Sequence, residues 1–152
     1  MASTTSHKGQ IAVSRIVAEL VERGVRVSLP FQEDSPYDLV AEFDRKLYRL
    51  QVKYAGLQKG RMEVRTAAPT RKTLSKNWSR QDYVGEVDLF AVYCPDAGCY
   101  LIPIEDATKT VTFLRVTRTK NNQQQDVRWA VDYELGSVVT RLLGEDRMRQ
   151  AV

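Results

Sequence analysis

Apolar residues near the start of the chain recur with the spacing of a helix that buries one stripe. Between residues 8 and 24 they occupy positions 11, 12, 16, 17, 20 and 21, which share one side of an α-helix. Gly24 is expected to end this helix, because glycine adopts the left-handed cap conformation without strain. Residues 25–29 then alternate between apolar and polar side chains, which predicts a half-buried strand.

Two further alternating runs, residues 38–44 and 47–54, predict a β-hairpin with a two-residue turn between them. The turn residues are not those that two-residue turns favour. This register places Asp38 opposite Lys53 and diagonal to Gln51, with all three side chains on one face. Three polar groups are therefore expected to meet at one end of the hairpin.

The rest of the chain predicts strands, one loop region and a closing helix. Residues 69–82 contain few apolar side chains and predict a long loop or a short helix, while residues 129–143 predict the helix. A run of two asparagines and three glutamines at residues 121–125 reads as a polar connection. The strands are predicted at residues 62–67, 87–94, 99–104 and 110–116.

Composition excludes several classes of protein. A chain of 152 residues with 43% apolar residues fits one domain, 1–152, with a core of its own. No apolar stretch approaches the roughly 20 residues of a membrane span, and no secretory signal is present, so we expect a cytoplasmic protein. One histidine and two cysteines cannot form the usual zinc sites, so any metal must be bound by oxygen.

Positive charge is concentrated in one short segment. The chain carries 23 basic and 19 acidic residues, and residues 58–80 hold seven of the basic ones and one of the acidic ones. A segment of this kind is either a solvated basic loop or a surface that binds a polyanion.

The polar end of the hairpin carries a resemblance to a known family. The segments Ser35-Pro-Tyr-Asp-Leu-Val40 and Leu50-Gln-Val-Lys-Tyr54 resemble the PD-(D/E)XK nucleases. Together with Val92-Tyr-Cys-Pro95 and Tyr100-Leu-Ile-Pro103 they are similar to the branch that contains homing endonucleases of cyanobacterial group I introns, over about residues 8–104. The resemblance implies an α/β fold with a restriction-endonuclease-like core, in which helices flank a mixed β-sheet.

The same resemblance implies a chemistry for the site. Asp38, the side-chain oxygen of Gln51 and the main-chain carbonyl of Val52 would bind Mg²⁺, for which Mn²⁺ could substitute. Lys53 would orient the attacking water or offset negative charge at phosphorus. Gln51 departs from the usual acid of the family, and a neutral amide is expected to bind metal more weakly than a carboxylate.

Position 13 also departs from the pattern. Relatives usually carry a glutamate after the Ile-Ala pair of the first helix, and Val13 occupies that place. Two explanations are open: the natural protein functions without this carboxylate, or the chain is an engineered inactive form that holds uncleaved DNA. The second is preferred. Glu19 is the nearest acid on the helix, but it lies on a poorly matched face.

The implied substrate is double-stranded DNA. Because one site cuts one strand, a double-strand break requires at least a dimer, and the resemblance favours a homotetramer. Two other functions stay open: a DNA-binding module with an inactive nuclease site, and a restriction enzyme or Holliday junction resolvase of the same fold. Arg115, Arg118 and Lys120 are a weaker candidate contact. The main candidate DNA contacts form a basic insertion around residues 58–80, and they are Lys59, Arg61, Arg65, Arg71, Lys72, Lys76 and Arg80.

Overall fold

The computed structural model describes residues 4–67 and 83–150 and forms an α/β fold. The helices are α1, Thr5–Glu22, and α2, Leu135–Gln150, and none of the described helices is long and apolar enough to cross a membrane. Two short 3₁₀ helices span Ile104–Asp106 and Ala130–Tyr133. The strands are β1 (Arg26–Ser28), β2 (Leu39–Phe43), β3 (Lys46–Tyr54), β4 (Leu57–Gln58), β5 (Arg61–Arg65), β6 (Leu89–Cys94), β7 (Gly98–Pro103) and β8 (Val111–Arg115).

Both ends of α1 are fixed by local hydrogen bonds. The helix begins earlier than the apolar pattern predicts, because the Thr4 hydroxyl accepts the N–H of His7 at 3.2 Å and caps the first turn. At the other end Gly24 has φ +76°, and the N–H of Val25 reaches back to the carbonyl of Leu20 at 3.0 Å. This is the glycine cap that the sequence predicts.

Five strands form the main sheet in the order β1-β2-β3-β6-β7. The pair β3–β6 is parallel and the other pairs are antiparallel, so the sheet is mixed, as predicted. The remaining strands form a second, antiparallel sheet in the order β4-β5-β8. Strand β4 was not predicted, because two residues are too few to show an alternating pattern.

The two faces of the main sheet are covered differently. Both helices pack on one face, where Ile16 of α1 and Val138 of α2 join the same buried cluster as Leu50 of β3. The second sheet packs on the opposite face, where Met62 of β5 contacts a cluster that includes Phe90 of β6. The main sheet is therefore buried on both sides, and its edges and strand ends are where polar side chains reach solvent.

The predicted hairpin between β2 and β3 is present, but the predicted register is wrong. Phe43 pairs with Lys46, so the turn is Asp44-Arg45, one position earlier than expected. Leu39 pairs with Leu50, which moves the partner of every β2 residue by two positions along β3. A shift of two residues keeps each side chain on its predicted face, because the side-chain period of a strand is two.

The predicted closing helix begins too early. Residues 129–134 contain a 3₁₀ turn and an extended residue, Glu134, at φ −52° and ψ 131°, and α2 starts only at Leu135. Glu134 forms an isolated β-bridge with Tyr100 of β7. Before Leu135, Ala130 is buried and Val131 is exposed, so this connection does not pack as a first helical turn would, and the apolar pattern does not show the difference.

Candidate active site

The Asp38 carboxylate lies where strand β2 begins beside β3. Its N–H donates to the carbonyl of Leu50 at 2.9 Å, and its Oδ2 accepts the N–H of Val52 at 2.7 Å. The two bonds hold Asp38 alongside residues 50–52. The predicted position opposite Lys53 is thus incorrect, since the true register places the aspartate nearer Gln51.

One open cleft of about 540 Å³ brings together residues from α1, β3 and the start of β2. Val13 faces this cleft from the helix, on the same side as Gly9 and Gln10. The structure therefore places position 13 of the helix next to the polar end of the hairpin. The residues that line the cleft are Ser6, Gly9, Gln10, Val13, Ser14, Asp38, Gln51 and Val52.

Lys53 is held by a tyrosine that the sequence analysis did not identify. The Lys53 Nζ lies 3.4 Å from the Tyr83 hydroxyl and 5.1 Å from the centroid of the Tyr83 ring. Tyr83 is buried and packs edge-on against Phe90 of β6, at 5.4 Å between ring centroids. Tyr83 follows a stretch with little apolar pattern, so no spacing signal connects it with Lys53.

Burial and mutual attraction set the protonation of these groups. Burial raises the pKa of Asp38 above its ordinary value, and the Val52 N–H and the Lys53 charge oppose that rise. Burial lowers the pKa of Lys53, and the Asp38 charge opposes that fall. Burial raises the pKa of Tyr83, and the Asp38 charge adds to the rise. Asp38 and Lys53 are therefore close enough to stabilise each other's charged form.

An ion pair behind the site fixes the start of β3 to the segment before β6. The Arg49 guanidinium donates to both carboxylate oxygens of Asp88 at 3.1 Å, and the Arg49 N–H donates to Asp88 Oδ2 at 2.8 Å. Although burial acts to raise the pKa of Asp88, the Arg49 hydrogen bonds lower it below the ordinary value. This two-pronged contact sets the position of β3 from which the Gln51, Val52 and Lys53 side chains project.

The oxygen donors at the cleft suit a hard divalent cation. Asp38 offers a carboxylate and Gln51 an amide oxygen. The Val52 carbonyl lies on the Asp38 side of β3, because the N–H and C=O of one strand residue point the same way. Within residues 4–67 and 83–150, no group of three or more His, Cys, Asp and Glu residues could hold a metal. The protein therefore presents one carboxylate and neutral oxygens, a set that fits Mg²⁺.

The other predicted residues lie away from this cleft. Glu19 pairs with Arg23 and lines a different cavity, so its carboxylate does not reach the cleft that holds Val13 and Asp38. Lys59 occupies the turn between β4 and β5, and Arg61 and Arg65 lie exposed on β5. The remaining predicted DNA contacts fall outside the described residues, and they are Arg71, Lys72, Lys76 and Arg80.

Comparison with protein families identifies the architecture around this cleft. A sequence model of the PD-(D/E)XK endonucleases matches residues 3–136. The chain belongs to the PD-(D/E)XK endonuclease family. The resemblance found in the Ser35–Val40 and Leu50–Tyr54 segments is thereby confirmed, and nucleases of this family use divalent metal ions.

Solved structures support the fold of this PD-(D/E)XK endonuclease. The bacterial homing endonuclease I-Ssp6803I matches with a TM-score of 0.72 and 22% sequence identity, over 97% of this chain and 98% of that one. The match confirms the predicted restriction-endonuclease-like core. Hjc, a Holliday junction resolvase from Archaeoglobus fulgidus, matches with a TM-score of 0.45 and 16% identity, over 71% and 84% of the two chains. No curated protein shows significant sequence similarity to the chain.

Proposed function

We propose that this PD-(D/E)XK endonuclease is a site-specific DNA endonuclease that makes a double-strand break by Mg²⁺-dependent hydrolysis, with Mn²⁺ able to substitute. Group I intron homing is the proposed biological role, on the strength of the sequence resemblance. The observation that carries the proposal is the cleft where Asp38 and Gln51 lie beside Val13, with Lys53 two positions after Gln51 and coupled electrostatically to Asp38.

In this proposal the chain contributes ligands and fixed positions. Asp38, Gln51 and the Val52 carbonyl would hold the metal, and the Val52 N–H fixes the carboxylate at 2.7 Å. When bound, Mg²⁺ makes water nucleophilic near neutral pH and neutralises charge on the phosphate. Gln51 contributes no charge, so oxygens of the DNA phosphate are expected to complete the metal's coordination.

Lys53 would act on the reacting phosphate rather than on the metal. Its ammonium orients the attacking water or offsets the negative charge that develops at phosphorus. Tyr83 holds that ammonium through its hydroxyl and ring, and we propose it as a positioning residue. A cation with a fixed position stabilises developing charge without the reorganisation that a mobile lysine would need.

Val13 is proposed to limit catalysis in this chain. A glutamate at position 13 would add a second carboxylate to the cleft that already holds Asp38. With valine there, we expect the chain to bind DNA and cleave it poorly or not at all. This proposal includes the DNA-binding module as its alternative, since an inactive site would leave only binding.

The DNA contacts and the assembly also belong to the proposal. Residues 58–80 would contact DNA as part of the single nuclease domain, with Lys59, Arg61 and Arg65 as the described members. Two copies at least must act together, because each site cuts one strand. The tetramer is preferred on the resemblance alone.

The test begins with selection of duplexes that the chain binds from a randomised library, with Ca²⁺ present to prevent cleavage. The selected duplex is then incubated with the chain and with its Val13→Glu variant. We expect the variant to cut both strands with Mg²⁺ or Mn²⁺, to leave 5′-phosphate and 3′-hydroxyl ends, and to be inactive in EDTA. A shifted complex without nicks at any metal concentration would establish the DNA-binding module instead. Cleavage of four-way junctions but not of linear duplex would establish a resolvase.

A further inference from the structure

The second sheet turns one face of regularly spaced polar side chains to solvent. In β5 the buried Met62 and Val64 alternate with exposed residues, and in β8 the buried Thr112 and Leu114 alternate with half-buried or exposed ones. The cross-strand pairs place the outward residues side by side on one surface. We call this surface the outer face, and its members are Gln58, Arg61, Glu63, Arg65, Val111, Phe113 and Arg115.

The outer face carries three arginines and one acidic residue, Glu63, and is therefore positive on balance. Arg61 lies directly opposite Arg115, an arrangement that like charges disfavour. The Arg61 guanidinium lies 4.2 Å from the Phe113 ring centroid, and Arg115 donates to the carbonyl of Thr117 at 2.9 Å. Neither the Arg23–Glu19 nor the Arg49–Asp88 ion pair involves the outer face. Facing arginines of this kind suit an anionic partner.

A loop follows β8 and lies beside the outer face, and backbone hydrogen bonds fix both of its ends. At its start, the N–H groups of Val116 and Thr117 donate to the Gly60 carbonyl at 2.8 and 3.2 Å. At its end, the Arg128 carbonyl accepts the N–H of Arg115 at 2.8 Å. The loop between these two attachment points is therefore anchored at both ends next to β5 and β8.

The tip of this loop consists of amide side chains. Residues 121–125 are Asn-Asn-Gln-Gln-Gln, all five exposed, and we call them the carboxamide loop. Gln123 and Gln125 line a cleft of about 290 Å³ together with Arg61, Phe113 and Arg115 of the outer face. The run that the sequence analysis read as a polar connection thus lies next to arginines.

We propose that the outer face and the carboxamide loop enter the DNA major groove and read base edges. This inference rests on the proposed function, and it assigns sequence recognition to a surface distinct from the catalytic cleft. Asn and Gln side chains pair with the adenine edge through two hydrogen bonds, and Arg pairs with guanine in the same way. Because Gln123 and Gln125 line one cleft with Arg61, adenine recognition by the glutamines is expected beside guanine recognition by Arg61.

The dimensions of the second sheet fit the groove. The major groove is about 12 Å wide and admits an antiparallel β-ribbon. Adjacent strands lie about 4.8 Å apart, and β4 adds only two residues beside β5, so most of the sheet is the two-stranded β5–β8 ribbon. Strands β5 and β8 each have five residues, so each spans about 17 Å.

The experiment compares the bases selected by the parent chain and by a variant of the loop. The variant carries Gln123→Ala, Gln124→Ala and Gln125→Ala, while Asn121 and Asn122 stay, since they shape the loop. Asn122 has φ +52°, and the Asn121 Oδ1 accepts the Gln123 N–H. Duplexes are selected from a randomised library with Ca²⁺. The variant should lose the adenine preference at adjacent positions, and its affinity for the parent's duplex should fall by roughly 5- to 140-fold per lost base contact.

Two matched controls separate recognition from general binding. Gln32→Ala removes an exposed glutamine and Arg26→Ala removes an exposed arginine, both outside the outer face, and neither should alter the selected bases. Arg61→Ala should relax one guanine position. An unchanged selection in both the loop variant and Arg61→Ala, or a uniform weakening across all sequences, overturns the recognition surface and leaves the endonuclease proposal intact. Failure of the parent chain to bind any DNA overturns the endonuclease proposal itself.

Discussion

The ammonium of Lys53 lies 3.4 Å from the hydroxyl of Tyr83, although 30 positions of sequence separate the two residues. The Tyr83 ring is fixed against Phe90 with an interplanar angle of 88°, and Phe90 lies in the strand that pairs with β3. The position of the Lys53 charge therefore depends on the core of the main sheet. A lysine without this contact would sample several rotamers.

Tyr83→Phe tests whether the hydroxyl positions Lys53. The phenylalanine ring keeps the packing and the ring contact with the ammonium, and loses the hydrogen bond. In the Val13→Glu background we expect kcat to fall roughly 2- to 10-fold, as for loss of one hydrogen bond, while KM for DNA stays the same. Single-turnover cleavage of the selected duplex measures the change.

Tyr83→Leu serves as the stronger companion variant. It removes the hydroxyl and the aromatic face together, so its cleavage rate should fall below that of Tyr83→Phe. Thermal unfolding of both variants checks that the fold survives. Cleavage by Tyr83→Phe at the parental rate would show that Lys53 takes its position from other contacts.

The sequence predicted the faces of the hairpin and missed its register. Along β2 and β3, buried residues such as Leu39 and Leu50 alternate with less buried ones, and this alternation shows which face of each strand packs into the core. The register depends instead on the turn, and both Asp44 and Arg45 adopt positive φ, 48° and 68°. Asp-Arg does not indicate this turn conformation as Asn-Gly would, so the alternation of apolar and polar residues placed the turn one residue late.

The proposed site residues could be grouped from the sequence because they lie close together along the chain. Asp38 and residues 51–53 belong to one hairpin, and a hairpin's geometry follows from local pairing. Tyr83 and Asp88 were not predictable, since their contacts to β3 depend on how β6 packs beside it. The nearness of Val13 to Asp38 likewise required the helix to be placed on the sheet.

Arg45→Gly should stabilise the protein. Arg45 holds φ +68°, which is strained for a residue with a Cβ atom and free of strain for glycine. After subtraction of the greater freedom of glycine in the unfolded chain, we expect a gain of about 0.5–1 kcal/mol in the free energy of unfolding. Urea unfolding measures it. Lys46→Gly is the matched control, and it should destabilise, because Lys46 is paired in β3 and its ammonium lies 5.2 Å from the Tyr48 ring.

Asp38→Asn should raise stability and, in the Val13→Glu background, abolish cleavage. Folding raises the pKa of Asp38. At pH values above the folded pKa, ionised Asp38 therefore lowers the free energy of unfolding, and this destabilisation disappears below the pKa of the unfolded chain, about 3.9. Asparagine imitates the protonated form and can keep the bond from the Val52 N–H. The variant should therefore have the higher Tm at neutral pH and the same Tm at acidic pH.

Asp88→Asn is the counterpart with the opposite sign. In the folded parent the pKa of Asp88 is lower than in the unfolded chain. Ionised Asp88 therefore adds stability at pH values above its unfolded pKa, and this contribution is lost as the pH falls through the folded pKa. At neutral pH the variant should be slightly less stable than the parent, by less than about 1 kcal/mol because the pair with Arg49 is partly exposed. The same sign of Tm change in both variants at neutral pH would contradict the assigned pKa directions.

Three variants separate the roles of Val13 and Lys53. Val13→Glu adds a carboxylate to the cleft that holds Asp38, and we expect it to raise cleavage of the selected duplex above that of the parent. Val13→Leu, which fills the position without charge, should give no gain. Adding Lys53→Ala to the Val13→Glu protein should reduce cleavage by at least about 100-fold, as for loss of a group that stabilises developing charge, while gel-shift affinity in Ca²⁺ stays within a few-fold. Undiminished cleavage would remove Lys53 from the mechanism, and equal activity of Val13→Glu and the parent would show that position 13 is not the metal-side position of the helix.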